Sequence, residues 1–299
     1  MTEIVEAPPD LSPVGRLQLA SRGLRSNWPA AAALIVLAVT VAAAVFGPPL
    51  LSREALHQDL LLRLQPPAWM GGTGAHPLGT DPLGRDVLAR IIVASRVSLE
   101  VGLAAVVLSA LIGGLLGLTA GYYGGWVDRV IMRLADIQLS IPYILLAIAI
   151  IAVLGPSLRN VILALGVGGW TTYARILRGQ ALSVRHQEFV QAAVAIGTRG
   201  RWIILRHILP QTFGTFSVIA SIGVGQVIVT ESALSFLGLG VQPPDVTWGT
   251  MVGDGRNYLS TAWWVATMPG LALMVVIVVI NLVADWPHET FDPLAARPG

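Results

Sequence analysis

The sequence predicts an all-α polytopic membrane protein with six transmembrane helices. Its 299 residues are 54% hydrophobic and only 12% charged, where soluble domains carry about 25% charge, and its mean hydropathy is +0.70. Long uncharged runs recur: Trp28 to Ser52, Val101 to Val127, Ile137 to Leu158, Ile208 to Thr230 and Asn257 to Ala284. Each exceeds the ~20 residues that a helix needs to cross a hydrocarbon core. Lipid offers no partner to an open sheet edge, so spans of this kind are helical.

A tail over residues 1–28 carries Arg16, Arg22 and Arg25. The first helix is expected over 29–51. It begins too far from the start, and runs too long, to read as a cleaved signal peptide, so an anchoring span is expected. An external loop follows over 52–97. A five-helix core is expected over 98–284, with helices from Ser98 to Gly121, Ile131 to Leu154, Ser157 to Leu177, Phe213 to Phe236 and Ala262 to Ala284. The fourth span is the shortest. Only fifteen residues separate Arg159 from Arg175, and it survives because arginines at helix ends can snorkel to the interface. Pro142 and Pro269 are expected to kink the third and sixth helices, since proline removes a backbone donor. Gly113, Gly114 and Gly117 in the second span, and Gly214, Gly223 and Gly225 in the fifth, read first as close-packing positions.

Charge bias sets orientation. With both termini in the cytoplasm, twelve of the nineteen basic residues fall inside, including Arg129, Arg133, Arg175, Arg178, Arg185, Arg199, Arg201, Arg206 and Arg297. That is the side the positive-inside rule favours. Arg85, Arg90 and Arg96 oppose the rule from the outer side, where Asp81, Asp86 and Glu100 offset their charge.

Two absences exclude chemistry. Without cysteine there is no disulfide or thiolate. Every basic residue among the Lys and Arg total is arginine, so no phosphate-cradling loop of the G-x-x-x-x-G-K-[ST] type can form, and ATP is not bound in that manner.

The most specific segment lies on the inner side, in the loop over 178–212. From Gln187 to Ile196, the apolar residues Phe189, Val190, Ala193, Val194 and Ile196 approach a helical stripe. Gly197 suits a turn, Arg199, Gly200 and Arg201 follow it, and a second apolar patch leads to Pro210. Two readings stand on this pattern: a hairpin of two short helices, or an amphipathic helix lying against anionic headgroups.

The order of residues decides between them. Gln191-Ala192-Ala193, three residues, Gly197, nine residues and His207-Ile208-Leu209-Pro210 resemble the coupling loop of the membrane subunits of bacterial ABC importers, whose pattern is E-A-A, three residues, G, nine residues and I-x-L-P. Spacing is kept, glutamine stands for glutamate and histidine for the isoleucine. A second match is independent. His76-Pro77-Leu78-Gly79-Thr80-Asp81 and Gly84-Arg85-Asp86 are similar to a stretch of the second permease of dipeptide, oligopeptide and nickel importers. Ser140-Ile141-Pro142 near Asp136, Ser235 to Gly240, and Asn281 to Pro293 also look like that family, with departures at Ala284, His288 and Glu289.

The resemblance implies a type I ABC importer permease fold in the bacterial inner membrane, forming half of a translocation path. It implies a second homologous permease, two ATP-binding subunits that hold ATP and Mg2+, and an extracytoplasmic substrate-binding protein. Neither a cofactor nor nucleic acid is implied for this chain, whose surroundings are the lipid bilayer. Gln191 to Pro210 would be the lever: Ala192 and Ala193 small enough for close docking, Gly197 permitting the turn, and Pro210 starting the fifth span. Peptide is the implied cargo, with nickel or another small solute as the alternative.

The outer loop reads as turn-rich, with Pro77, Gly79 and Gly84 as breakers. Asp86 and Arg90, four apart, are expected to support a short helix. His76 and Asp81 are too few to make a metal site. Glu231, the one carboxylate well inside an expected span, is the feature an ion-coupled secondary transporter would use. One such group is thin support against the spaced motifs.

Overall fold

In a computed structural model, the described residues are 28–291, with side chains described as far as residue 284. Arg16, Arg22, Arg25, Asp292, Pro293 and Arg297 lie outside the described residues, and with them most of both expected tails. Ten α-helices make up most of the described chain. They are α1 (Trp28–Leu56), α2 (Val87–Tyr123), α3 (Gly125–Leu139), α4 (Tyr143–Leu154), α5 (Leu158–Arg185), α6 (Glu188–Ala195), α7 (Gly200–Ile203), α8 (Leu209–Phe236), α9 (Trp248–Gly255) and α10 (Trp264–Phe291).

Four helices among the described residues are long and apolar enough to cross a membrane, or five if α3 and α4 count as one bent span. The expected fourth span, α5, is a continuous 28-residue helix but falls short of that apolar standard. Its middle reads Gly-Gly-Trp-Thr-Thr-Tyr, and Arg175, Arg178 and Arg185 follow. It tolerates this composition because it packs against α2, α4 and α8, with Val161, Ala164, Leu165, Ala174 and Ala181 completely buried.

The α2–α5 contact is the spine of the molecule. A Cβ on Gly113 would come within 2.2 Å of the Trp170 carbonyl oxygen, and one on Gly117 within 2.4 Å of the Ala174 carbonyl oxygen. Backbones approach this closely only where side chains are absent. Ser109 Oγ donates to the Gly166 carbonyl at 2.7 Å in the same interface. Gly114 and Gly225 make only ordinary contacts, and nothing lies against Gly214, so close packing explains some of the expected glycines and not others.

Three differences from the expected spans matter most. α1 runs on to Leu56 through Pro48 and Pro49, past the expected end at Leu51. α2 starts at Val87, eleven residues ahead of Ser98, because Asp86 caps it: Asp86 Oδ1 accepts from the Ala89 N–H at 2.7 Å. Charged Arg90 and Arg96 therefore lie on the helix, not in a loop. Third, the span containing Pro142 is not merely kinked. It breaks, with 85° between α3 and α4. Pro269 by contrast sits in the second turn of α10, which continues uninterrupted.

Because α2 spans 37 residues, or about 55 Å at 1.5 Å per residue, it sets two ends far apart. One end is capped by the loop over residues 57–86 together with α9. The other carries the hairpin of α6 and α7.

Candidate functional site

The hairpin is built where the sequence places it. α6 ends at Ala195, Gly197 takes φ +79°, and the chain turns into α7 at Gly200. That φ lies in the left-handed region, where glycine carries no Cβ penalty. The second short helix is not separate: α7 passes through a π-helical turn over Ile204–Ile208 into α8, and the Leu209 N–H donates to the Ile204 carbonyl five residues back. The widened turn immediately precedes Pro210, which supplies no N–H.

One face of the hairpin is anchored. Val190, Ala193, Ile203, Ile204 and Ile208 are buried against Leu118, Leu177, Ala181 and Val184. Arg185 donates to the Tyr122 carbonyl at 2.9 Å. The other face is open: Phe189, Val194, Trp202 and Leu205 are exposed, and Ile196 is 82% exposed. Of the expected lever residues, Gln191, Ala192, Gly197 and Pro210 are exposed, His207 and Leu209 half-buried, and Ala193 buried. The Phe189 and His207 rings stand 6.1 Å apart across the hairpin.

Gln191 has a specific partner. Its Nε2 donates to the Arg185 carbonyl at 3.0 Å, satisfying an oxygen at the end of α5 that has no intrahelical donor. A carboxylate at this position could only accept. The glutamine departure therefore has a local hydrogen-bonding function.

At the capped end, Asp81 is the hub. Its side chain is 1% exposed and accepts from the Leu83 N–H at 2.8 Å, the Arg85 N–H at 3.0 Å, Arg85 Nε at 2.6 Å and the Arg90 guanidinium. Arg90 also reaches Asp254 at 3.5 Å. The expected pairing of Arg90 with Asp86 is thus corrected. Burial brings Arg90 to the fully buried Asp81, while Asp86 caps α2 and pairs with His76 Nδ1 at 2.8 Å. Gly79 and Gly84 take φ +79° and +74° where the loop doubles back on itself. Two indoles pin this cap: Trp264 Nε1 donates to the Thr80 carbonyl at 3.2 Å and Trp248 Nε1 to the Ile91 carbonyl at 3.0 Å. Neither tryptophan stood out in the sequence, nor did α9, whose start is capped reciprocally by Thr247 and Thr250, with threonine in place of the usual Glu or Gln.

Glu231 belongs to this cap. It is 1% exposed. Its Oε1 accepts from Ser235 Oγ at 2.6 Å and Thr247 Oγ1 at 2.8 Å, fastening α8 to the start of α9. Its Oε2 has no hydrogen-bond partner. Both hydrogen bonds to Oε1 come from inside the protein, one of them across to α9, so Glu231 acts as a fastener.

Two further clusters line the body of the protein. Near the hairpin end, Asp128 pairs with Arg178 and Asp136 with Arg175 between α3 and α5, with Arg129 and Arg133 alongside. At mid-span, beside the α3–α4 break, a cavity of about 410 Å³ opens between α5 and α8. Gln138 braces its wall: Nε2 donates to the Gly168 carbonyl at 2.6 Å and Oε1 accepts from Trp170 Nε1 at 2.6 Å. No group of three or more metal-ligating side chains occurs among the described residues.

Comparison with known proteins agrees with this architecture. A family model described as the inner membrane component of binding-protein-dependent transport systems matches residues 113–297. A model of the N-terminal TM domain of oligopeptide transport permease C matches residues 15–67. The dipeptide transport system permease protein DppC of Alkalihalophilus pseudofirmus is 38% identical over 274 residues, covering 92% of this chain and 88% of the relative. The probable D,D-dipeptide permease DdpC of Escherichia coli is 40% identical, covering 87% and 86%. The glutathione transport permease GsiD of Pectobacterium atrosepticum is 38% identical, covering 91% and 89%. The chain belongs to the family of inner membrane components of binding-protein-dependent transport systems. Within that class it is a multi-pass membrane permease subunit of DppC/OppC-like type.

Proposed function

We propose that this chain forms half of the translocation path of an ATP-driven peptide importer in the bacterial inner membrane. It pairs with a second homologous permease, docks on two ATP-binding subunits and receives cargo from an extracytoplasmic binding protein. The relatives carry dipeptide, D,D-dipeptide and glutathione in their names, and what these share is the peptide class. In this reading the chain crosses the membrane six times, by α1, α2, the bent α3–α4 pair, α5, α8 and α10. Both termini are cytoplasmic, which puts the hairpin inside and the capped end outside.

The observation that carries the reading is the two-faced hairpin. One face is locked into the ends of α2 and α5, while the other presents Phe189, Val194, Ile196 and Trp202 to solvent. An exposed apolar patch rimmed by Arg199, Arg201 and Arg206 is the signature of a protein-binding surface. A rigid lever of this kind converts movement of a docked ATPase into movement of α5 and α8 together. Gln191, Ala192, Ala193, Gly197, His207, Leu209 and Pro210 act by shape and packing, and the chain itself performs no covalent chemistry. The outer residues His76, Gly79, Asp81, Gly84, Arg85 and Asp86 hold the external cap.

The test is the purified importer containing all its subunits, assayed for ATP hydrolysis stimulated by loaded binding protein. Replacing Gly197 with valine, or Pro210 with alanine, leaves assembly in the membrane intact and lowers stimulated hydrolysis. Wild-type stimulation in both variants sinks the coupling assignment. Uptake that persists with inactive ATPases but collapses with the proton gradient would favour an ion-coupled transporter instead.

A further inference from the structure

The mid-span cavity beside the α3–α4 break carries a feature that packing does not explain. Gln226 lies in the middle of α8 on an exposed face with Ile222 and Val229, at i−4 and i+3. Its side chain has no hydrogen-bond partner among the described residues. Hydrocarbon would leave that amide unsatisfied, so the Gln226 face meets water or a polar partner, not lipid. Tyr173 points at the same space from α5. Its ring is buried, and Gly223 makes room for its hydroxyl, which lies 2.3 Å from where a Cβ would stand. Exposed Thr172 adds a second hydroxyl. From there the exposed α5 face continues to the Arg175–Asp136 pair and then to Arg178–Asp128, forming a polar track toward the hairpin end.

The cavity wall contains no Asp, Glu, Lys, Arg or His. Its volume of about 410 Å³ falls in the ~300–1,000 Å³ range of small-molecule sites. A carboxamide and hydroxyls both donate and accept, matching the N–H and C=O of a peptide bond. An uncharged wall neither repels nor traps a charged cargo side chain.

We propose that this cavity is the point at which cargo is held in transit, and that Gln226, Tyr173 and Thr172 hydrogen-bond the cargo's backbone amides without regard to side-chain charge. The cargo chemistry rests on the peptide reading above; the placement of the path does not.

Two measurements on the complete importer in proteoliposomes test this. The chain has no cysteine, so Gln226→Cys places a single thiol in it. A charged, membrane-impermeant maleimide is expected to label that thiol in at least one nucleotide state. Val39→Cys, on the exposed outer face of α1, is expected to stay unlabelled. Failure to label Gln226→Cys in every state, with uptake intact, makes this face a dry contact with the second permease and overturns the path. In the second measurement, Gln226→Leu and Tyr173→Phe are each expected to slow uptake of Ala-Ala, Asp-Ala and Lys-Ala alike. The size is about two- to tenfold, the scale of one lost hydrogen bond, with binding-protein affinity and assembly unchanged. Unchanged uptake of all three, or loss confined to one charge class, overturns the backbone-reading role. Absence of wild-type uptake of any of the three overturns the peptide reading and the cargo chemistry with it, while the labelling result still judges the path.

Discussion

The two ends of this permease are held by different forces. At the capped end, Asp81, Arg85, Arg90, Glu231 and Thr247 are tied by ion pairs and hydrogen bonds, with all but Arg85 buried. At the hairpin end, Val190, Ala193, Ile203 and Ile208 are held by apolar burial, and half the surface is left open. Directional bonds in low dielectric fix one geometry and tolerate little change. Apolar packing with an open face holds a shape and leaves a surface for another protein. The difference suits the proposed role of the hairpin as the end that moves with a docked ATPase.

Substitutions at four positions probe that contrast, ranked by expected effect on the chain's own stability. Asp81→Ala has the largest, because it removes the close acceptor of two arginines and leaves the almost fully buried Arg90 only Asp254, at 3.5 Å; losing one partner of a buried pair costs about 3–5 kcal/mol. Thermal unfolding of the detergent-solubilised complex should fall accordingly, and an unshifted midpoint would mean the cap is not held by this hub. Glu231→Ala comes next. It leaves the Thr247 and Ser235 hydroxyls without their shared acceptor, at about 1–3 kcal/mol. Glu231→Gln keeps an acceptor oxygen and should recover most of the loss in the same assay; equal melting of the two variants would break the fastener assignment.

Gln191→Glu is smaller. It removes one exposed hydrogen bond to the Arg185 carbonyl, at less than about 1 kcal/mol, and sets a carboxylate against an oxygen. Its melting should barely move, and a large drop would show that the hairpin depends on this bond. Ile196→Asp is expected to leave melting unchanged, since the side chain is 82% exposed, yet to weaken retention of the ATP-binding subunits during purification. Retention equal to wild type would remove Ile196 from the docking surface and sharpen the contrast to the remaining apolar residues.

Much of this was legible in the chain, and the failures have a common cause. Hydropathy found α1, α2, α8 and α10, and the Gln191 to Pro210 spacing found the hairpin, because both signals are local. The Asp86–Arg90 expectation failed because spacing alone cannot see Asp81 folding back beneath Arg90. The start of α2 was missed for the same reason: Arg90 and Arg96 look like loop residues until a buried partner is known. The functional meaning of Gln191 was invisible, since its acceptor is a backbone oxygen six residues away whose availability depends on where α5 ends.

By itself, the sequence determined that the protein is helical, membrane-embedded and carries a glycine-turned hairpin before Pro210, because apolar run length and glycine's access to positive φ act over a few residues. Only the tertiary structure decided which charges pair, that α5 can be a polar-centred helix inside a membrane protein, and that the third span breaks by 85°. Those outcomes depend on burial, and burial is set by residues distant in the chain.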